Sequence, residues 1–157
     1  MVKSILLGVW LLVGFQGKML EGIVTSVEDG DTMEVTIDGK PVQVRLNGID
    51  CPEDGQGYSA KAKNYTTVHC LRKKIKIEKV TIDVRGRMIA NVYLSDGTNL
   101  CEALVGGGYA WHYKQYSNDP KLAALEKDAR KKKIGLWAEQ NPMSPWDFKA
   151  KKKAVNP

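Results

Sequence analysis

Alternating hydrophobic and polar positions run through much of the chain and predict short β strands. The strands predicted from this alternation cover residues 22–27, 33–37, 42–49, 75–77 and 88–94. Turn-forming clusters at 28–32 and 38–40 separate the first three strands, which therefore form a meander with short connections. Five short strands with intervening helices predict a small closed barrel.

The alternation changes phase in the region of the fourth strand. Ile75 and Ile77 share one parity, whereas Val80, Ile82 and Val84 share the other. An uninterrupted strand would turn half of these side chains to solvent, because a shift of one residue exchanges the two faces of a strand. We therefore predict a β bulge or a loop between Ile77 and Val80.

Three segments show the periodicity of short amphipathic helices. The hydrophobic positions are Ala62, Tyr65, Val68 and Leu71 in the first, Leu100, Ala103 and Leu104 in the second, and Leu122, Leu125 and Ala129 in the third. The third helix has the clearest signals: Asn118 and Asp119 supply capping oxygens, Pro120 stands where no amide hydrogen is needed, and Gly135 marks the end.

The composition fits a single domain that binds a polyanion. A chain of 157 residues holds one hydrophobic core, and 24 Lys and Arg against 18 Asp and Glu give a formal charge of +6. Cys51, Cys70 and Cys101 form no CxxC pair, so neither a zinc site nor a disulfide framework is indicated. We expect buried thiols, although a Cys70–Cys101 bridge stays open because it depends on a Cα separation.

The amino terminus has the composition of an export signal. Lys3 precedes an apolar run at residues 5–15, which is too short to span roughly 30 Å of hydrocarbon. We expect residues 1–17 to be a signal peptide and the protein to be secreted or periplasmic after cleavage. The alternative is an uncleaved membrane anchor through residues 5–15, because Phe15 and Gln16 fit a cleavage site poorly.

Acidic residues lie at the ends of neighbouring predicted strands in this otherwise basic chain. Asp29 and Asp31 precede the second strand, and Asp50 and Glu53 follow the third, with Arg45 five residues before Asp50. Carboxylates repel phosphate unless a cation intervenes, and hard divalent ions prefer oxygen ligands. Asp31 and Asp50 are therefore candidate metal ligands, although a hairpin turn and a surface ion pair explain each segment taken alone.

Several motifs, in this order along the chain, carry a resemblance to a known family. They are residues 24–32, Val-Arg-Leu-Asn-Gly-Ile-Asp-Cys-Pro-Glu at 44–53, Asp-Val-Arg-Gly-Arg at 83–87, and the segments 104–110 and 133–137. Together they resemble the staphylococcal nuclease family over residues 21–148. The resemblance implies a nuclease domain of the α+β class, an OB-type five-stranded β barrel with three α helices.

The same resemblance implies roles for acidic residues and for one backbone carbonyl. Asp31 and Asp50 match the family's metal carboxylates, and Cys51 matches the position whose carbonyl binds calcium. Glu53 matches the glutamate that orients or deprotonates the attacking water. The implied activity is Ca²⁺-dependent hydrolysis of DNA and RNA, with in-line attack by water and 3′-phosphate products.

Arginines and tyrosines complete the site that the resemblance implies. Arg45 and Arg87 match the two arginines that bind the phosphate and stabilise its developing charge. Tyr113 and Tyr116 follow the second helix, where the family places substrate-contacting tyrosines, with core packing as the alternative. The pattern departs from the family at residues 84–85, where relatives usually carry a basic residue and Tyr.

The expected substrates and oligomeric state follow from the same resemblance, and two other functions are possible. We expect a monomer that acts on DNA and RNA, preferentially single-stranded; a stable protein partner is not implied, and membrane contact would come only from an uncleaved leader. The alternatives are a non-catalytic OB-type module for single strands and a membrane-tethered structural protein. Paired carboxylates and arginines favour cleavage.

Residues 149–157 are expected to form a loose basic tail after a strap docked through Trp137 and Trp146.

Overall fold

The structure, a computed structural model that describes residues 19–155, contains a closed five-stranded barrel and, within those residues, four α helices. The strands are β1 (Met19–Val27), β2 (Thr32–Ile37), β3 (Lys40–Leu46), β4 (Ile49–Asp50), β5 (Lys74–Ile82), β6 (Met88–Tyr93) and β7 (Trp111–His112). The helices are α1 (Ser59–Cys70), α2 (Leu100–Gly106), α3 (Pro120–Lys131) and α4 (Pro145–Val155), with a 3-10 helix at Gly135–Ala138. The predicted OB-type α+β fold is confirmed.

The barrel runs in the order β1-β2-β3-β6-β5, with β3 and β6 parallel and the other neighbours antiparallel. The predicted bulge is confirmed, because the β5–β6 register shifts between Lys79 and Thr81. The bulge does not bury every hydrophobic side chain that follows the phase change, since Val80 and Ile82 remain exposed.

The predicted third strand is broken into two. β3 ends at Leu46, and Gly48 takes a left-handed conformation with φ of 71° that redirects the chain. The short strand β4 then leaves the barrel and pairs with β7, with Asp50 opposite Trp111. Alternation alone missed the break because the residues on both sides of the turn are buried.

The three predicted helices are confirmed as α1, α2 and α3. Asp119 caps α3 as expected, accepting hydrogen bonds from the backbone N–H groups of Lys121 at 2.7 Å and Leu122 at 3.4 Å. Gly135 does not end this helix, which stops at Lys131; instead it opens the 3-10 helix. Its φ of 61° and its close approach to the Gly108 carbonyl both require glycine.

The segment expected to be a loose basic tail is a helix through residue 155. Ser144 caps α4 by accepting the Asp147 N–H at 3.2 Å, and Pro145 begins the helix. Trp146 anchors the helix by packing against Trp111 and Tyr113. The expectation was wrong because it was based on the lysines and prolines of this segment, whereas the packing of Trp146 holds the helix on the protein.

Apolar side chains from every barrel strand form the core, and the cysteines belong to it. Cys51, Cys70 and Cys101 are free and buried, so the prediction of buried thiols is confirmed and no Cys70–Cys101 bridge is present.

The predicted leader, residues 1–17, lies outside the described residues. Among residues 19–155, no helix combines the length and the apolar character that crossing a membrane requires.

Candidate active site

Arg45 links the two predicted metal carboxylates. Asp31 lies directly before β2, Arg45 lies in β3 opposite Thr32, and Asp50 ends β4. One terminal nitrogen of Arg45 pairs with Asp31 and the other lies 2.6 Å from Asp50 Oδ1. The Arg45 side chain is 13% exposed, whereas those of Asp31 and Asp50 are 3% and 1% exposed. The fold thus brings these three residues together in a largely buried cluster.

Asp31 ties two loops to each other. Its Oδ2 accepts the backbone N–H of Cys51 at 2.5 Å, and its Oδ1 accepts the hydroxyl of Thr32 at 3.2 Å. The carboxylate of Asp29 in turn accepts the Asp31 N–H at 2.9 Å. Burial raises the pKa of the Cys51 thiol well above its ordinary value, so Cys51 contributes backbone groups here and not a thiolate.

A buried hydroxyl fixes the loop that carries Asp31. Thr66, in the middle of α1, donates to the Gly30 carbonyl at 2.6 Å and is fully buried. A Cβ on Gly30 would lie 2.7 Å from Cys51 Sγ and 2.8 Å from the Cβ of Ala62, so only glycine fits. The sequence prediction did not include Gly30 or Thr66; a threonine four residues after Ala62, on the buried face of α1, was the available signal.

Glu53 lies at the rim of the cluster. It follows β4 in a turn closed by the Gln56 N–H, which donates to the Glu53 carbonyl at 2.8 Å, and its side chain is 36% exposed. Lys149 of α4 places its Nζ 3.0 Å from Glu53 Oε1 and 3.3 Å from Asp50 Oδ2. Sequence reasoning missed Lys149 as a site residue because it was assigned to a tail.

Arg87 lies on the hairpin between β5 and β6, and its recorded side-chain contacts are with Asp83. Its Nε and Nη2 each lie 2.8 Å from Asp83 Oδ2. Partial desolvation acts to raise the pKa of Asp83, but hydrogen bonds from Arg87 and the Arg85 N–H hold it below its ordinary value. Met88, the next residue, pairs with Val44 of β3, so Arg87 lies beside the strand that carries Arg45.

Tyr113 and Tyr116 form an aromatic surface beside Asp50. Tyr113 stacks on Trp146 with ring centroids 5.1 Å apart and an interplanar angle of 4°, and Tyr116 packs edge-on against Tyr113 at 4.8 Å. Burial and then the nearby charge of Asp50 raise the pKa of Tyr113. Tyr116 is 71% exposed, which rules out core packing for this residue.

Comparison with known proteins identifies the family. The family model described as "Staphylococcal nuclease homologue" matches residues 43–139. The chain belongs to the staphylococcal nuclease family.

Several relatives in this family match most of the chain. The chain is 38% identical to an uncharacterized endonuclease of Escherichia coli O157:H7 over 85% of this chain and 87% of that one. It is 32% identical to a micrococcal nuclease of Shigella flexneri, over 86% of this chain and 84% of the relative. A staphylococcal-like nuclease of Arabidopsis thaliana is 35% identical over 74% of this chain and 36% of the plant protein.

The side chains of the cluster fit a metal ion, on which this nuclease family in general depends. Two buried carboxylates lie close enough to share one guanidinium, and the protonated Cys51 adds no thiolate, so the donors are all oxygens. Within residues 19–155, no group of three or more His, Cys, Asp or Glu side chains is arranged to hold a metal. Asp31 and Asp50 would therefore be completed by a backbone carbonyl and water.

Proposed function

We propose that the protein is a calcium-dependent endonuclease that hydrolyses phosphodiester bonds of DNA and RNA and leaves 3′-phosphates. The observation that carries this proposal is the buried Asp31–Arg45–Asp50 cluster with Glu53 at its rim. A module that only binds nucleic acid has no need of buried carboxylates beside a guanidinium, since they repel phosphate. The names of the bacterial relatives, endonuclease and micrococcal nuclease, support the same activity.

The proposed roles of the charged residues follow from their positions. Calcium, when bound, would offset the charge of Asp31 and Asp50 and polarise the phosphate. Arg45 and Arg87 then bind the non-bridging phosphate oxygens, because a guanidinium offers paired N–H donors. They stabilise the negative charge that grows on these oxygens as water attacks in line with the leaving group.

Glu53 is proposed to handle the attacking water. Its carboxylate is partly exposed, in contrast to those of Asp31 and Asp50, so water reaches it. Held by its turn, it orients the water and accepts a proton as the new phosphorus–oxygen bond forms. The bond between phosphorus and the 5′ oxygen breaks in the same step, and the 5′ oxygen takes up a proton from solvent, which gives a 3′-phosphate and a 5′-hydroxyl.

The aromatic surface is proposed to bind bases of the substrate. Tyr116 is mostly exposed and Tyr113 is packed between Tyr116 and Trp146, so a nucleobase can stack on this group. A base can leave the stack of its own strand and pack on these protein rings most easily where it is unpaired, which supports a preference for single strands. The net charge of +6 favours approach of the polyanion, and a monomer is sufficient for all of these contacts.

We also propose that the protein is exported and that residues 21–148 form the nuclease unit. The apolar run at residues 5–15 after Lys3 supports export, and the alternative to export is attachment to a membrane through the same run. Amino-terminal sequencing of the protein recovered from secreting cells decides between them. A mature terminus near residue 18 supports export, whereas an intact Met1 in the membrane fraction supports the anchor.

Digestion of labelled single-stranded DNA and RNA tests the activity. The purified protein is incubated with Ca²⁺, with Mg²⁺ and with a chelator, and the products are tested for extension by a polymerase before and after phosphatase treatment. Cutting that requires Ca²⁺, with ends extended only after phosphatase, is the expected result. Tight binding without cutting would support the non-catalytic module instead.

A further inference from the structure

Lys149 occupies the side of the acidic cluster that Arg45 leaves without a positive charge. Asp31 and Asp50 are both buried and share one guanidinium, so one carboxylate charge is not balanced by Arg45. The Lys149 ammonium lies 3.3 Å from Asp50 Oδ2, and Arg45 binds the other oxygen, Oδ1, at 2.6 Å. Lys149 also lies 3.0 Å from Glu53. Its charge therefore lies between a proposed metal ligand and the proposed base.

The fold holds the backbone of Lys149 in place while leaving its side chain free to move. Trp146, one helical turn earlier on α4, stacks on Tyr113 and packs edge-on against Trp111 at 5.5 Å. The Gln56 amide fixes the segment before α4 by donating to the Met143 carbonyl at 2.6 Å. The Lys149 side chain itself is 43% exposed, so its four-carbon stem can turn the ammonium into solvent.

A divalent cation and the Lys149 ammonium need the same oxygen atoms. Arg45 binds Asp50 Oδ1 at 2.6 Å, whereas Lys149 donates to Oδ2 at 3.3 Å and has a longer contact of 3.5 Å with Oδ1. A cation that binds Asp50 must share or take Oδ2, and two positive charges at that distance repel each other. Binding of the metal is therefore linked to the departure of Lys149.

We propose that Lys149 is an internal cation that competes with the divalent metal for Asp50 and Glu53 and so sets the affinity of the site for metal. This inference rests on the proposed calcium site. In the metal-free protein Lys149 balances the buried charge of Asp50. When calcium binds, Lys149 turns outward into solvent, since its side chain is already 43% exposed.

Calcium titration by isothermal calorimetry, without nucleic acid, tests this competition. Lys149→Met keeps an unbranched stem and removes the charge, and it should bind Ca²⁺ roughly two- to fivefold more tightly than wild type, the scale of a partly exposed ion pair. Lys149→Arg should restore weaker binding. Lys151→Met is the matched control, because Lys151 is an exposed lysine of α4 that forms no ion pair in residues 19–155.

Thermal unfolding supplies a second measurement on the same variants. The rise in melting temperature on adding Ca²⁺ should be larger for Lys149→Met than for wild type or Lys151→Met, because the metal no longer displaces an existing ion pair. Equal or weaker calcium affinity in Lys149→Met would overturn this inference alone. Absence of calcium binding in wild type and every variant would overturn the calcium site and this inference together.

Discussion

Arg87 is bound to Asp83 through two nitrogens, Nε and Nη2, each 2.8 Å from the same carboxylate oxygen. The backbone N–H of Arg87 also donates to the other oxygen of Asp83, at 2.9 Å. The guanidinium is therefore ordered on its own hairpin before any substrate arrives. Ordering a cation in advance lowers the entropy cost of placing it against a phosphate.

Arg87→Ala should slow cleavage more than it weakens binding. The charge that Arg87 is proposed to stabilise grows only in the transition state, so kcat should fall by about 10²- to 10³-fold, the scale seen on removing one such donor. Steady-state kinetics on single-stranded DNA measures both constants. Arg85→Ala removes an equal charge from the exposed tip of the same hairpin and should leave kcat nearly unchanged. An increase in KM alone would make Arg87 a binding residue.

Glu53→Gln should lose about 10²- to 10⁴-fold in rate while it retains substrate affinity, because the amide cannot accept a proton from water. Single-turnover cleavage and binding to the same labelled strand separate the two effects. The control is Asp54→Asn, which removes a charge from the exposed neighbour in the same turn. Unchanged turnover in Glu53→Gln would remove this residue from the mechanism.

Arg45→Met should lower the free energy of unfolding by about 3–5 kcal/mol, because it leaves Asp31 and Asp50 buried without their shared guanidinium. Urea denaturation in the presence of a chelator measures the loss. Arg85→Met, on an exposed side chain, should change stability by less than about 0.5 kcal/mol. A loss as small as that in Arg45→Met would show that solvent screens the cluster despite its burial.

Thr66→Val should destabilise the protein by about 1–2 kcal/mol, because the Gly30 carbonyl loses its donor inside the protein. Activity should fall as well, since the loop between Asp29 and Asp31 loses its attachment to α1. Thr67→Val is the control: its hydroxyl donates at 2.8 Å to the Lys63 carbonyl of its own helix, on the exposed side. Equal effects at the two positions would contradict a specific role for Thr66.

The three thiols should resist alkylation in the native protein at pH 8. Burial raises the pKa of Cys51 well above its ordinary value and those of Cys70 and Cys101 to about 12, so the reactive thiolate is scarce. Mass spectrometry after a short exposure to iodoacetamide should show no addition to folded protein and three additions in denaturant. Rapid labelling of one cysteine in native protein would contradict the burial of that thiol.

The sequence by itself predicted the barrel and several of the residues that meet in the acidic cluster. Strand alternation, the helix period and the cap at Asp119 are local patterns, decided by neighbouring residues, and they correctly predicted the barrel strands, α1 to α3 and the start of α3. Alternation missed the break between β3 and β4. The proximity of Asp31 and Asp50 could be predicted because both residues lie at the ends of predicted strands that follow one another along the chain.

Only the tertiary structure decided how residues distant along the chain complete this cluster. Lys149 reaches Asp50 across 99 positions, and Thr66 reaches Gly30 across 36. Helical periodicity places Thr66 on the buried face of α1, but it does not show the partner of either Lys149 or Thr66, because each contact depends on where a helix docks and not on which helix forms. Lys149 in particular belongs to a run of lysines that looks uniformly solvated, and it is the packing of Trp146 that turns one of them toward the acidic cluster.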